Sequence, residues 1–177
     1  MKKKKILTKP FGHISIGDKH YVVEVAMDDS ARHKGLSKRH KLDEGFGMLF
    51  DMPKEDKHSF QMKETYVPLD MVFLGKYGQI VDYIPNVQPL TDGPYSPKSP
   101  CKFVLEVAGN DLKNQIKEGD LTRMKFFDTL DLAHAHRDKM QLQEQLIQYL
   151  NEAVNGKKLR REQTVTGKDT IRRRKTI

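Results

Sequence analysis

Two apolar runs framed by glycines constrain this chain more than any other feature. Leu69–Leu74 (LDMVFL) and Gln79–Ile84 (QIVDYI) flank the connection Gly75-Lys76-Tyr77-Gly78. Runs of this length around a four-residue link specify a β-hairpin, with both glycines expected to supply the positive φ of a tight turn. Pro85 has no N–H for a ladder, so the second strand is expected to close there.

Short segments of the same kind fill the first two-thirds of the chain. His13–Ile16 and His20–Met27 read as strands around the turn residues Gly17-Asp18-Lys19. In the second, Tyr21, Val23 and Val25 alternate with Val22, Glu24 and Ala26, so one face is wholly apolar. Gly45–Phe50, His58–Lys63, Lys102–Val107 and Leu121–Phe127 read as further strands. Asp28-Asp29-Ser30 offers an N-cap for a short helix over Ala31–Arg39, and Gly109–Gln115 reads as a helical turn. Pro89, Pro94, Pro97 and Pro100 mark a long loop. Many short strands with turns between them predict a mainly β fold, a small closed β-barrel over 11–128, because closure removes exposed sheet edges.

The pattern changes after Asp128. Leu130–Asn155 lacks proline and glycine, and Ala135, Leu142 and Tyr149 fall seven apart, with Leu146 and Ala153 beside them. This predicts an amphipathic helix over 129–155, about 25 residues long, stopped by Asn155-Gly156. Such a stripe packs either back onto the barrel or onto another protein, with Leu142, Leu146 and Tyr149 as the partner-binding residues. Lys139 within it weakens a coiled-coil seam.

Charge divides the chain differently. The net charge is +8. Lys2, Lys3, Lys4, Lys5 and Lys9 give the N-terminal arm (1–10) +5. The last 21 residues carry +7, through Lys157, Lys158, Arg160, Arg161, Lys168, Arg172, Arg173, Arg174 and Lys175 against two acids. Residues 10–156 therefore hold −4. Basic ends on a mildly acidic body suggest arms that grip an anionic surface, and the tail (156–177) reads as extended. Binding of nucleic acid by these cations would be directed to phosphates, since no recognition helix or zinc-finger spacing is present.

Several classes find no support. Cys101 is the lone cysteine, so no internal disulfide can form, and it reads as a small core residue beside a strand. MKKKK opens like a signal peptide, but Lys9, Pro10 and His13 interrupt the apolar stretch it needs. No run approaches a membrane span, so a cytoplasmic or virion location is expected. The seven histidines show no HxxxH or His-plus-Cys spacing, so neither a metal nor another cofactor is expected. No GxSxG, GxxxxGK[ST] or GxGxxG occurs.

The central segments resemble, in order, the family called domain of unknown function 192. Its Arg-x-x-Gly-Leu element is matched by Arg32, Gly35 and Leu36, and its Gly-Met-Leu-Phe strand by Gly47 to Phe50. Its Phe-Trp-Met-Lys-Asn-Thr and Pro-Leu-Asp segment reads here Phe60, Gln61, Met62, Lys63, Glu64, Thr65, then Pro68, Leu69, Asp70. Gln88-Pro89, Pro94-Tyr95, Val104 to Glu106 and Ile116 to Asp120 complete the match, which spans roughly 19–127. Gln61 replaces the usual aromatic and Glu64 the usual Asn. The closing Gly-Asp resembles the turn of cradle-loop and double-psi barrels, which would make Asp120 a structural residue. The family has no established reaction, and its members occur in bacteria, archaea and some phages.

Two functional readings remain. The first is a non-catalytic interaction or assembly module that binds other protein subunits. A phage head or neck component is its specific form, with basic arms on neighbours or packaged DNA. The alternative is a small enzyme or ligand-binding domain with a cleft near Lys63, Asp70 and Gln88, drawing also on Arg32, Tyr95 and Glu106. Asp70 could be a general base with a raised pKa, could pair with Lys63 or Arg32, or could cap a backbone turn.

Overall fold

A computed structural model describes the backbone of residues 10–173 and the side chains of 10–155. The basic arm and the tail cations lie outside the described side chains. Two compact units result, Met1–Arg137 and Asp138–Ile177.

The first unit is built on seven strands. They are β1 (Phe11–Ile16), β2 (Lys19–Ala26), β3 (Phe46–Asp56), β4 (Leu69–Leu74), β5 (Ile80–Val87), β6 (Cys101–Ala108) and β7 (Arg123–Phe127). Their order across the sheet is β5-β4-β6-β3-β2-β1-β7. All neighbours are antiparallel except β2 and β3, which run parallel. That parallel pair needs a crossover, and α1 (Asp29–Lys34) with the loop after it supplies one.

Both faces of the sheet are covered, which explains why β4 is buried along its whole length. One face gathers Ile14, Tyr21, Val23, Leu49, Val72 and Leu105. The other gathers Met48, Phe50, Met62, Met71, Phe73 and Val104. Side chains alternate along each strand, so adjacent residues of β4 and β6 serve different cores.

The sheet is mainly β as expected, but it is open and not a closed barrel. The edge strands β5 and β7 do not pair along their length. Their ends meet only at the Gln79–Leu121 bridge and neighbouring backbone bonds, such as Ile80 N–H to Asp120 O at 2.8 Å. The approach to β7 is spent on turns, with Asn110, Asn114 and Gly119 at φ of 68°, 62° and 90°. Only five residues of β7 then remain to pair, and they pair with β1. The expected Gly-Asp turn is present: Gly119 takes its positive φ and Asp120 accepts from Lys117 N–H at 3.0 Å.

Local expectations shift in four places. The hairpin forms, with Gly78 at φ 83° but Gly75 outside the positive region. The strand β5 runs past Pro85 to Val87, which an edge strand with a register irregularity tolerates. His58–Lys63 is not a strand; Phe60 forms an isolated bridge with the loop residue Tyr95. The helix α1 has the expected Asp28 cap (2.8 Å to Ala31 N–H) but ends at Lys34, where Gly35 turns away at φ 46°.

The helix α2 (Leu130–Arg173) holds 44 residues. Asn155-Gly156 does not stop it, and the segment expected to be extended is helical to Arg173. Gly156 and Gly167 within it cost about 1 kcal/mol each, and the lysines, arginines, Leu159 and Glu162 that follow Gly156 favour helix. No described helix is long and apolar enough to cross a membrane.

Candidate functional site

Asp70 begins an apolar strand and is fully buried. Its Oδ1 accepts from Asn86 N–H at 2.8 Å and Asn110 N–H at 2.9 Å. Its Oδ2 accepts from Leu112 N–H and from the Tyr83 hydroxyl, each at 2.9 Å. Asn86 and Asn110 both have positive φ, at 50° and 68°. The carboxylate thus holds an irregularity in β5 and the turn after β6, whose backbone donors do not join a ladder. Burial, and then the bond to Asp70, push the Tyr83 hydroxyl above its ordinary pKa. Beside it, Asp111 accepts from Tyr21 Oη at 2.8 Å and Lys19 Nζ at 3.0 Å. Tyr21 is likewise raised, by burial first and by Asp111 second.

Of the three roles open to Asp70, the structure shows the backbone cap. Neither Lys63 nor Arg32 pairs with it. Arg32 instead donates to Met27 O and Asp51 O, both at 2.7 Å, and to Asp29. It latches α1 onto β3. Lys63 is exposed. Gln88 is exposed and donates to Asn86 O at 2.8 Å. Tyr95 is half-buried, with its hydroxyl 2.7 Å from Thr91 Oγ1. A cleft near Lys63, Asp70 and Gln88 would find no exposed atom on Asp70.

Glu106 differs. Asp70 stands opposite Val107 and Glu106 opposite Met71, so the two carboxylates project to opposite faces of the sheet. Glu106 is 5% exposed and has no hydrogen-bond or ion-pair partner among the described residues. Burial alone pushes it up to about 8. The family-matching segment passes over this face with Met62 buried and Gln61, Lys63 and Glu64 exposed. Phe60 makes edge contacts with Phe50 and Phe73 there. Gln61 therefore brings no aromatic surface to the position where one is usual.

Sequence reading missed a histidine cluster. His13 Nε2 lies 3.0 Å from His20 Nδ1, and His13 Nδ1 lies 3.2 Å from His136 Nδ1. Burial, followed by the charges of His136, His20 and Arg137, lowers His13 to about 4. The pairing of β1 with β2 and the return of α2 create this cluster, and 123 residues separate His13 from His136. Only their shared residue type could have hinted at it. The two nitrogens of His13 face different partners, so the three rings do not converge on one point. Among the described residues no group of three or more His, Cys, Asp or Glu is placed to hold a metal. Cys101 is buried and its thiol is pushed up to about 11, mainly by burial, as befits a core residue.

On α2, Leu142, Leu146 and Tyr149 are 67%, 56% and 67% exposed. Ile147, Leu150 and Val154 are also exposed. The stripe expected to be covered is open in the single chain. The tail cations Lys157, Lys158, Arg160, Arg161, Arg172, Arg173, Arg174 and Lys175 lie outside the described side chains.

The chain belongs to the family of domain of unknown function 192 (DUF192), described as "Uncharacterized ACR", whose model matches residues 12–124. That span runs from β1 into β7 and leaves out α2. Two crystal structures are similar. One is a protein of unknown function from Novosphingobium aromaticivorans DSM 12444, with 28% identity and a TM-score of 0.58, covering 64% of this chain and 83% of that one. The other is a provisionally assigned transcription regulator from Sinorhizobium meliloti 1021, with 29% identity and a TM-score of 0.61, covering 66% of this chain and 94% of that one. No curated protein matches the chain.

Proposed function

We propose that this protein is a non-catalytic interaction module, with the β unit as a folded platform and α2 as the element that binds other subunits. The observation that carries this is the exposed row Leu142, Leu146 and Tyr149 on a 44-residue helix outside the family match. Large apolar side chains clustered in the open mark an interaction surface. The polar groups of the β unit support the same reading, since Asp70, Arg32 and Tyr95 are engaged in holding the fold. A virion head or neck is the kind of assembly in which such a helix and basic ends would work together.

Sedimentation of the full chain tests this. The parent is expected to form a species larger than a monomer. Leu142→Ala with Leu146→Ala should dissociate it, at about 2–5 kcal/mol for each leucine that becomes fully buried in the complex. The far-UV dichroism of the β unit should not change. A parent that stays monomeric at high concentration, or a double variant that assembles like the parent, would sink the proposal.

A further inference from the structure

The fold does not account for Glu106. It lies on β6 between Met48 of β3 and Met71 of β4. Val104 and Ala108 flank it two residues away on the same face. Phe50 stands opposite Val104 and Leu69 opposite Ala108, so the surrounding positions are apolar. Among the described residues, no buried polar side-chain atom is both sealed from solvent and unbonded. The oxygens of Glu106 have no bond, so each keeps a slight contact with solvent. A carboxylate in such surroundings is costly without a partner, and this one adds no bond to the fold. Other charged groups at positions on this face are already paired, Glu24 with Arg39, Asp82 with Lys98 and Lys102 with Asp51. Lys63 and Glu64, on the segment that crosses the face, are exposed.

We propose that Glu106 anchors a binding site for a small organic cation, an amine with a short hydrocarbon body. The ammonium N–H groups would donate to the carboxylate and supply the partner the chain lacks. The hydrocarbon would insert beside Met48 and Met71, which are 6% and 0% exposed and whose flexible thioethers would shift to admit it. Binding needs the ionised carboxyl. Because burial holds Glu106 at about 8, an ammonium that binds at lower pH displaces one proton from it to solvent. This site is independent of the α2 reading and involves no chemical turnover.

The probe is n-hexylammonium, added to full-length protein labelled at the methionine methyls. The Met48 and Met71 methyl resonances should shift. Affinity should rise about tenfold per pH unit until about pH 8 and then level off. Calorimetry near pH 6.5, in buffers of different ionisation heat, should show about one proton released per amine. Glu106→Gln should weaken binding at least about tenfold and abolish the pH slope. n-Hexanol, with the same body and no charge, should bind more weakly. Unmoved Met48 and Met71 methyls, pH-independent affinity, or equal binding by hexanol would each overturn the site. Proton release is read on the parent alone, so the result does not depend on how Glu106→Gln folds.

Discussion

Replacing Asp70 by Asn keeps size and shape and removes only charge and one acceptor. The parent carboxylate accepts four bonds, two on each oxygen. An Asn amide at the Oδ1 position would orphan the N–H groups of Asn86 and Asn110. At the Oδ2 position it would face Leu112 N–H and the Tyr83 hydroxyl, which can rotate to accept. The second orientation is better, and it still leaves Leu112 N–H buried and unpaired. That orphan costs about 1–3 kcal/mol, and the remaining bonds lose charge assistance at about 1 kcal/mol each. The expected loss is about 3–6 kcal/mol, a large share of a typical domain's stability. Urea denaturation followed by far-UV dichroism measures it, since the chain has no tryptophan. Tyr83→Phe, which removes a single donor, should cost less. A folded Asp70→Asn protein within about 1 kcal/mol of the parent would refute the anchoring argument. If that protein had also lost a turnover, it would refute the non-catalytic reading.

Two further outcomes are expected. Glu106 binds its proton more tightly when folded, at about 8 against an ordinary 4.5, so the folded state holds more protons between those values. Stability contributed by this group should therefore fall as pH rises from 4.5 to about 8, by up to about 5 kcal/mol, and Glu106→Gln should abolish that fall in urea titrations. If parent and variant have the same pH slope, Glu106 is not the buried acid described. For the tail, if about five of its cations engage duplex DNA, affinity should drop with a log–log salt slope of about −4 to −5. Removing residues 157–177 should flatten that slope, and negligible binding by both forms would take nucleic acid out of the reading.

The local elements were legible because their causes are local. The hairpin of β4 and β5, the Asp28 cap and the Gly119-Asp120 turn each follow from residues within a few positions of one another. Closure was not legible, because it depends on whether β5 and β7 can reach and pair along their length. The turns at Asn110 and Asn114 leave too little strand for that, and an Asn in the left-handed region looks like any other Asn in a sequence. The end of α2 was misread for a related reason. Asn155-Gly156 carries a stop signal, and the helix formers beyond it carry the helix through both Gly156 and Gly167.

The candidate site shows the same limit more sharply. Asp70 and Glu106 look alike in sequence, each a lone acid in an apolar strand. What separates them is which side of the sheet each faces. Asp70 meets the irregularity of β5 and the turn after β6, with backbone donors from residues 16, 40 and 42 positions away. The face of Glu106 receives methionines and phenylalanines, whose side chains donate nothing. One carboxylate therefore becomes a structural anchor with every acceptor site used. The other becomes a weak acid whose oxygens keep a slight contact with solvent. Strand parity fixes this difference, since a shift of one residue would exchange the two environments. A raised carboxyl pKa therefore belongs to Glu106, where the donors are missing, and a search for chemistry in this domain begins on that face.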